Sequence, residues 1–155
     1  MSLIHTMPGH LIRRLNQIAV SIFQERMDAL GIDLTPVQFG ALAALSENPG
    51  IDQATLAGLI AYDRVTIGGV VDRLQAKGLV ARSLSATDRR ARVLVLTGEG
   101  AALLTRALPA VRALQDDILC GLTEAEAQTF LTLATKLATA GNDRSRAPMK
   151  LRDPG

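Results

Sequence analysis

Residues 63–100 read DRVTIGGVVDRLQAKGLVARSLSATDRRARVLVLTGEG. An amphipathic segment closes at Gly78, and a short apolar run follows, Leu79-Val80-Ala81-Arg82. A polar, arginine-laden tip extends from Ser85 to Arg92, and a second apolar run, Val93-Leu94-Val95-Leu96, comes after it. This order predicts a helix followed by a β-hairpin whose loop carries Arg89, Arg90 and Arg92. Mechanically, a helix beside a basic hairpin suits a duplex: the helix fills the major groove while the hairpin grips phosphates.

Working upstream, Asp63 caps the helix over Arg64 to Lys77, with Val65, Val70, Val71 and Leu74 as its inner face. Before it, Asp52 caps a short helix from Gln53 to Ala61, buried through Leu56, Leu59 and Ile60. The brief Tyr62-Asp63 link between the two predicts a helix-turn-helix. Thr35-Pro36-Val37-Gln38 opens an earlier helix with a capping box, and Asn48-Pro49-Gly50 breaks it. The first helix runs from about Gly9 to Leu30, striped by Leu11, Leu15, Ile18, Ile22 and Phe23. Downstream, Thr97-Gly98-Glu99-Gly100 starts a long fifth helix in which Pro109 predicts a kink or a break. Thr123 and Glu126 form a second capping box for a sixth helix through Phe130, Leu133, Ala134 and Leu137.

The fold class is therefore mainly α with a small β-hairpin: a winged helix-turn-helix plus terminal dimerisation helices, six helices per chain. The expected divisions are an N-terminal helix of the dimerisation region (1–32), a DNA-binding lobe (33–98), C-terminal dimerisation helices (99–140) and a flexible tail (141–155). The first, fifth and sixth helices carry more apolar surface than the central lobe can cover, which points to a homodimer.

Composition bounds the alternatives. Apolar residues form 48% of the 155, which excludes wholesale disorder, and aromatics only 3%, so Leu, Ala, Val and Ile must build the core. No apolar run is long enough to span a bilayer, and no basic region precedes an apolar block at the start of the chain. Cys120 is the lone cysteine, so a reducing cytoplasm is the expected compartment, and the residue reads as a small buried core group. One Cys with His5 and His10 does not assemble a metal site, and no cofactor is expected. The net charge of +2 conceals an asymmetry: residues 64–92 carry seven basic side chains against Asp72 and Asp88. Basic charge concentrated on the helix-and-hairpin segment is the footprint of a polyanion binder.

DRVTIGGVVDRLQAKGLVAR (63–82) and DRRARVLVLTGEG (88–100) together resemble the MarR family of winged-helix transcriptional regulators. The second run is the more specific: Asp-Arg-Arg at the wing, alternating apolar residues, then Leu-Thr-x-x-Gly at a helix start. The likeness covers about residues 5–140. It implies a homodimer on pseudo-palindromic double-stranded DNA, usually acting as a repressor. It also implies release by a small phenolic or aromatic acid effector bound between the dimerisation and DNA-binding lobes. Two departures stand out. Gly68-Gly69 replace the polar or basic residue the family often has in mid-helix, either for close backbone approach to DNA or at a simple cost in helix stability. The reactive cysteine of peroxide-sensing members has no counterpart in residues 1–15.

Arg89, Arg90 and Arg92 are the foremost DNA candidates, because a wing guanidinium enters a minor groove or clamps phosphate oxygens. Asp88 more plausibly holds one of them or the turn. On the recognition helix the candidates are Arg64, Thr66, Ile67, Gly68 and Arg73. Arg64 and Thr66 occupy the turn that meets base edges, while Arg73 reads equally as a structural ion-pair partner. Gln53 and Thr55 serve either as phosphate contacts or as capping residues. For an effector, family geometry points to His10, Arg14 and Gln17 on the first helix, Phe39 on the second and Arg106 on the fifth. A surface charge, a dimer salt bridge or a core aromatic would explain these residues as well. The competing function is a low-specificity architectural DNA binder of the same fold. An interaction module without DNA binding fits the arginine wing poorly. An enzyme has neither a phosphate loop nor a nucleophile–base pair to support it.

Overall fold

Five side-chain caps decide where the helices begin. Thr35 Oγ1 accepts from Gln38 N while Gln38 Oε1 accepts from Thr35 N, each at 3.2 Å, so two orphan donors are satisfied reciprocally. Asp52 accepts from Thr55 N, Asp63 from Thr66 N, Thr97 from Gly100 N and Thr123 from Glu126 N. The structure, a computed structural model, describes residues 2–85, 87–88 and 92–152. After a 3₁₀ turn at Leu3–Thr6, the chain forms α1 (Pro8–Ala29), α2 (Pro36–Glu47), α3 (Gln53–Leu59) and α4 (Arg64–Ala76). Strands β1 (Val80–Leu84) and β2 (Arg92–Leu96), then α5 (Gly98–Ile118) and α6 (Glu124–Ala140), complete it.

α2 is the hub. It is apolar around most of its circumference, as a helix enclosed by others must be, and Ala41, Leu42 and Leu45 are buried. Around it lie Leu56 of α3, Ile67, Val71 and Leu74 of α4, Val80 and Leu94 of the strands, and Phe23, Met27, Leu104 and Leu114 of α1 and α5. β1 and β2 pair antiparallel with Val80 opposite Leu96 and Leu84 opposite Arg92. A bridge from Ile51 to Leu94 gives the hairpin a third partner. Buried Gln38 takes a further hydrogen bond from Lys77 Nζ at 3.2 Å, and Lys77 also pairs with Asp33 at 3.1 Å. The end of α4 is thereby tied to the start of α2.

The base of the hairpin is where three elements meet. Gly78 leaves α4 with φ +75°, a left-handed geometry that glycine adopts without steric cost. Thr97 N donates to Leu79 O at 3.1 Å, and Thr97 Oγ1 donates to Gly78 O at 2.6 Å. Gly100, in the first turn of α5, then passes so close that an added Cβ would lie 2.0 Å from Leu79 O. The Leu-Thr-x-x-Gly run is thus a weld between hairpin and helix.

Several expectations need correction. Val65 is not on the inner face of α4: it is 89% exposed, and Ile67 is fully buried in its place. The spacing explains it, since Ile67, Val70, Val71 and Leu74 form the i, i+3, i+4, i+7 stripe and Val65 falls on the opposite side. α3 stops at Leu59, because Ala61 turns left-handed (φ 55°) and Tyr62 N bonds back to Ala57 O at 3.0 Å. Pro109 does not break α5, which runs continuously through it. Cys120 is exposed rather than buried, in the turn after α5. Residues 141–152 do not behave as a free tail: they fold through a second 3₁₀ turn at Asn142–Arg144 and lie against α3, with Lys150 N donating to Gly58 O at 2.8 Å. α6 has no buried residue among those described, and Phe130, Leu131, Leu133 and Leu137 are exposed on it. No single helix is long and apolar enough to cross a membrane.

Helix propensity alone favours Gly100→Ala by up to about 1 kcal/mol. The approach to Leu79 O reverses the sign, and a loss of about 1–3 kcal/mol is expected from the forced displacement. Urea denaturation measures it; a midpoint equal to or above wild type would show that the weld tolerates a methyl group.

Candidate nucleic-acid interface

α3 and α4 are bent by 109° at their short link, within the range for a helix-turn-helix. This presents the first turn of α4 outward. Arg64, Val65 and Thr66 are all exposed there. Asp63 holds the turn through both carboxylate oxygens: Oδ1 accepts from Thr66 N and Oδ2 from Thr66 Oγ1, each at 2.9 Å. Thr66 is therefore a capping partner as well as a surface group. Ile67, a sequence candidate for DNA contact, is enclosed by the core, so its side chain cannot reach a base.

The glycine pair lies toward the outer side of α4, and the two positions differ. A Cβ at Gly68 would meet Gln53 Nε2 at 3.3 Å, and one at Gly69 would meet Arg73 Nη1 at 3.9 Å. Gly68 thus lies close under the Gln53 amide of α3, whereas a methyl group at Gly69 would make only ordinary contact with the Arg73 guanidinium. Arg73 is exposed and forms no ion pair among the described residues, so its structural alternative is unsupported. Gln53 is half-buried between the helices, and Thr55 has its backbone N–H committed to Asp52 at 2.7 Å.

Arg82, which the sequence reading left out of the site, organises this surface. From β1 it donates to Asp72 Oδ1 at 2.8 Å, to Gln53 Oε1 at 3.4 Å and to Gln75 Oε1. One guanidinium thereby joins the hairpin to α3 and α4 and neutralises the carboxylate on the outer side of α4. The signal for it was available: a basic residue in an apolar strand, ten positions after an acidic one. In the hairpin, Arg92 is exposed and registered opposite Leu84. Ser85 Oγ accepts from Thr87 N and Asp88 N at 3.2 and 3.4 Å, which shapes the near side of the loop. Arg89 and Arg90 lie outside the described residues.

The five effector candidates do not converge. Arg106 donates to Leu30 O and braces α5 against the end of α1. His10 is in hydrogen-bonding range of Arg13, which donates to Gln17 Oε1 at 3.0 Å. Arg14 and Gln17 line an open groove with Ile18, Ser21, Ile22 and Glu25. Phe39 packs edge-on to Phe23, ring centroids 6.2 Å apart. Phe23 in turn walls a separate cavity of about 180 Å³ between α1, α2 and α5, together with Asn16, Val20, Pro36, Leu114, Gln115 and Ile118. Asn16 and Gln115 were not singled out from sequence, although each is a polar residue adjoining an apolar stripe.

Residues 32–91 match a family model described as MarR family. Curated proteins similar to this chain include the HTH-type transcriptional repressor NicR of Pseudomonas putida, 37% identical over 129 residues, 83% of this chain and 80% of the relative. Similar solved structures include BpsR of Bordetella bronchiseptica, reported for regulation of its DNA binding by 6-hydroxynicotinic acid. It is 31% identical, with a TM-score of 0.82 over 89% of this chain and 97% of that one. A mutant of MarR from Escherichia coli complexed with operator DNA is 28% identical, with a TM-score of 0.79 over 88% and 99% of the two chains.

Two carboxylates in the helix-turn-helix are held below the ordinary aspartate value of 3.8: Asp52 by the Thr55 hydroxyl and then its N–H, Asp63 by the Thr66 N–H and then its hydroxyl. The folded values lie below the unfolded ones. Each cap's stabilisation is therefore complete above pH 3.8 and is lost as the pH falls through the lowered folded value. Between about pH 5 and 2, thermal melts should show wild type losing more stability than an Asp52→Asn, Asp63→Asn variant, whose caps do not titrate. Parallel curves would remove these two groups from the acid response.

Proposed function

The chain belongs to the MarR family of winged-helix transcriptional regulators, and from that premise we propose that it is a homodimeric repressor binding a pseudo-palindromic operator and released by a small aromatic acid. One observation carries the DNA reading: the outer side of α4 exposes Arg64, Val65, Thr66 and Arg73 beside an arginine-bearing hairpin clamped to it through Arg82. Arg64 suits base-edge acceptors such as those of guanine, and exposed Val65 suits a thymine methyl group. Arg92 with Arg89 and Arg90 supplies the phosphate grip.

Homodimerisation is supported by the uncovered apolar residues of α1 and α6, where Leu11, Ile12, Leu15, Phe130, Leu133 and Leu137 are exposed in the isolated chain. A two-fold dimer presents two copies of α4 to successive half-sites about one helical turn apart.

The cavity between α1, α2 and α5 is the best-supported effector site. It is an open cleft of about 180 Å³ with Asn16, Val20 and Gln115 exposed at its edge, a size that suits a single small ring. Phe23, Val20, Leu114 and Ile118 supply apolar walls, and Asn16 and Gln115 supply amide groups for a hydroxyl or carboxylate. Its walls come from both parts of the molecule: α1 and α5 of the proposed dimer region, and Pro36 at the start of α2 in the DNA lobe. A ring wedged there separates α2 from α5 and turns the lobe that carries α4. BpsR, whose DNA binding is regulated by 6-hydroxynicotinic acid, makes hydroxylated aromatic and pyridine carboxylates the compounds to try first.

The deciding experiment is binding of the purified protein to the intergenic duplex beside its own gene, with random duplex as competitor and a panel of such acids. Specific binding abolished by one compound is the expected result, and equal affinity for random duplex would instead establish the architectural role. On the specific duplex, Arg64→Ala should cost about 1–3 kcal/mol and relax preference at one position per half-site. Arg92→Ala should weaken all duplexes alike and lower the salt slope by about 0.9 per protomer. A uniform loss from the Arg64 variant would remove it from base readout. Gln115→Leu should leave DNA affinity unchanged and raise the acid concentration needed for release at least tenfold; an unchanged response would move the effector elsewhere.

A further inference from the structure

We propose that the C-terminal segment is a third DNA-contacting element, with Arg146 holding a backbone phosphate beside the N-terminus of α4. This rests on the reading that α4 faces DNA.

The segment is built to hold a loop in place. Asn142 Nδ2 donates to Met149 O at 3.0 Å while Met149 N donates to Asn142 Oδ1 at 2.8 Å. That reciprocal pair closes a loop with Arg144, Ser145 and Arg146 at its tip, where Ser145 Oγ accepts from Ala147 N at 3.1 Å. The loop is then fastened to the helix-turn-helix. Lys150 N donates to Gly58 O at 2.8 Å, and Lys150 Cβ sits 3.1 Å from where a Cβ on Gly58 would be. The segment therefore lies in close contact with the last turn of α3. Arg152 adds a contact to Asn48 Oδ1 at 3.3 Å.

This fastening sets Arg146 across a small groove from Tyr62, Asp63 and Arg64. Its guanidinium lies 3.6 Å from Asp63 Oδ2 and is 90% exposed. Such a loose, solvated pair contributes little to stability and leaves most of its five donors unused. Its electrostatic effect is better placed. The Asp63 cap puts a negative charge at the end of α4 that approaches phosphates, and Arg146 offsets that charge from the solvent side. In the sequence of the same segment Arg144, Lys150 and Arg152 add to the basic charge, against Asp143 and Asp153.

The test is titration of the wild-type specific duplex at a series of salt concentrations, with the full chain carrying Arg146→Ala, Arg146→Lys or Asn142→Ala. Arg146→Ala should weaken binding several-fold on specific and random duplex alike. It should also flatten the slope of log K against log salt by about 0.9 per protomer, the value for one phosphate. Arg146→Lys should keep the slope. Asn142→Ala retains every charge but breaks the reciprocal pair with Met149 that closes the loop, so it should reproduce the flattened slope with an unchanged melting transition. Wild-type slopes in both alanine variants would overturn the proposal while leaving the family reading intact. So would a change of base preference without a change of slope. Absence of salt-dependent duplex binding by wild type would overturn both.

Discussion

Everything on the DNA-facing side depends on one close backbone approach, that of Gly100 to the carbonyl of Leu79. The contact leaves no room for a β-carbon, and Thr97 fixes it by capping α5 while bonding to Gly78 and Leu79. The end of the recognition helix, the root of the hairpin and the start of the long helix therefore move together. Interfaces of this density have low compressibility, so the three elements are packed as one unit.

The second organising contact is electrostatic and works at right angles to the first. Arg82 reaches from β1 to Asp72 and Gln75 on α4 and to Gln53 on α3. The pair with Asp72 is partly screened by solvent, so its value lies in orientation more than stability. It ties the hairpin to α4, and it offsets a negative charge on the surface proposed to meet phosphates. Gly68 belongs to the same arrangement, since a β-carbon there would crowd the Gln53 amide that Arg82 also meets.

The helical framework was legible in the sequence because its signals are local. Thr35 with Gln38, Thr123 with Glu126, Asp52 and Asp63 each announce a helix start through a bond to a residue three positions on, and all four occur. Boundaries failed where the deciding contact was not local. Nothing in Ala61 itself says that it turns left-handed, and the periodicity around Pro109 does not reveal that packing along α5 carries the helix through it. Val65 and Ile67 were exchanged because two β-branched residues two apart lie on opposite sides of a helix, and only the whole stripe chooses between them. The candidate effector residues are polar or aromatic groups on three helices. They scatter because rotation about each helix axis, set by burial, decides which of them face one another. The C-terminal segment was illegible for a different reason: its few apolar residues predict freedom, whereas its position rests on Asn142, Gly58 and backbone hydrogen bonds.

The 21 residues of α5 make a rod about 30 Å long, with Leu114 and Ile118 on the small cavity at one end and Gly100 welded to the hairpin at the other. Lengths of that kind turn small angles into large distances. A tilt of about 5° at the cavity carries the hairpin end through roughly 2.6 Å. In the proposed dimer two such rods, related by the two-fold axis, swing together, so the spacing between recognition helices changes by up to twice that amount, against half-sites about 34 Å apart. In the proposed ligand-released dimer the helix is a caliper arm: a molecule no larger than one aromatic ring sets the gauge with which the two protomers measure a turn of DNA.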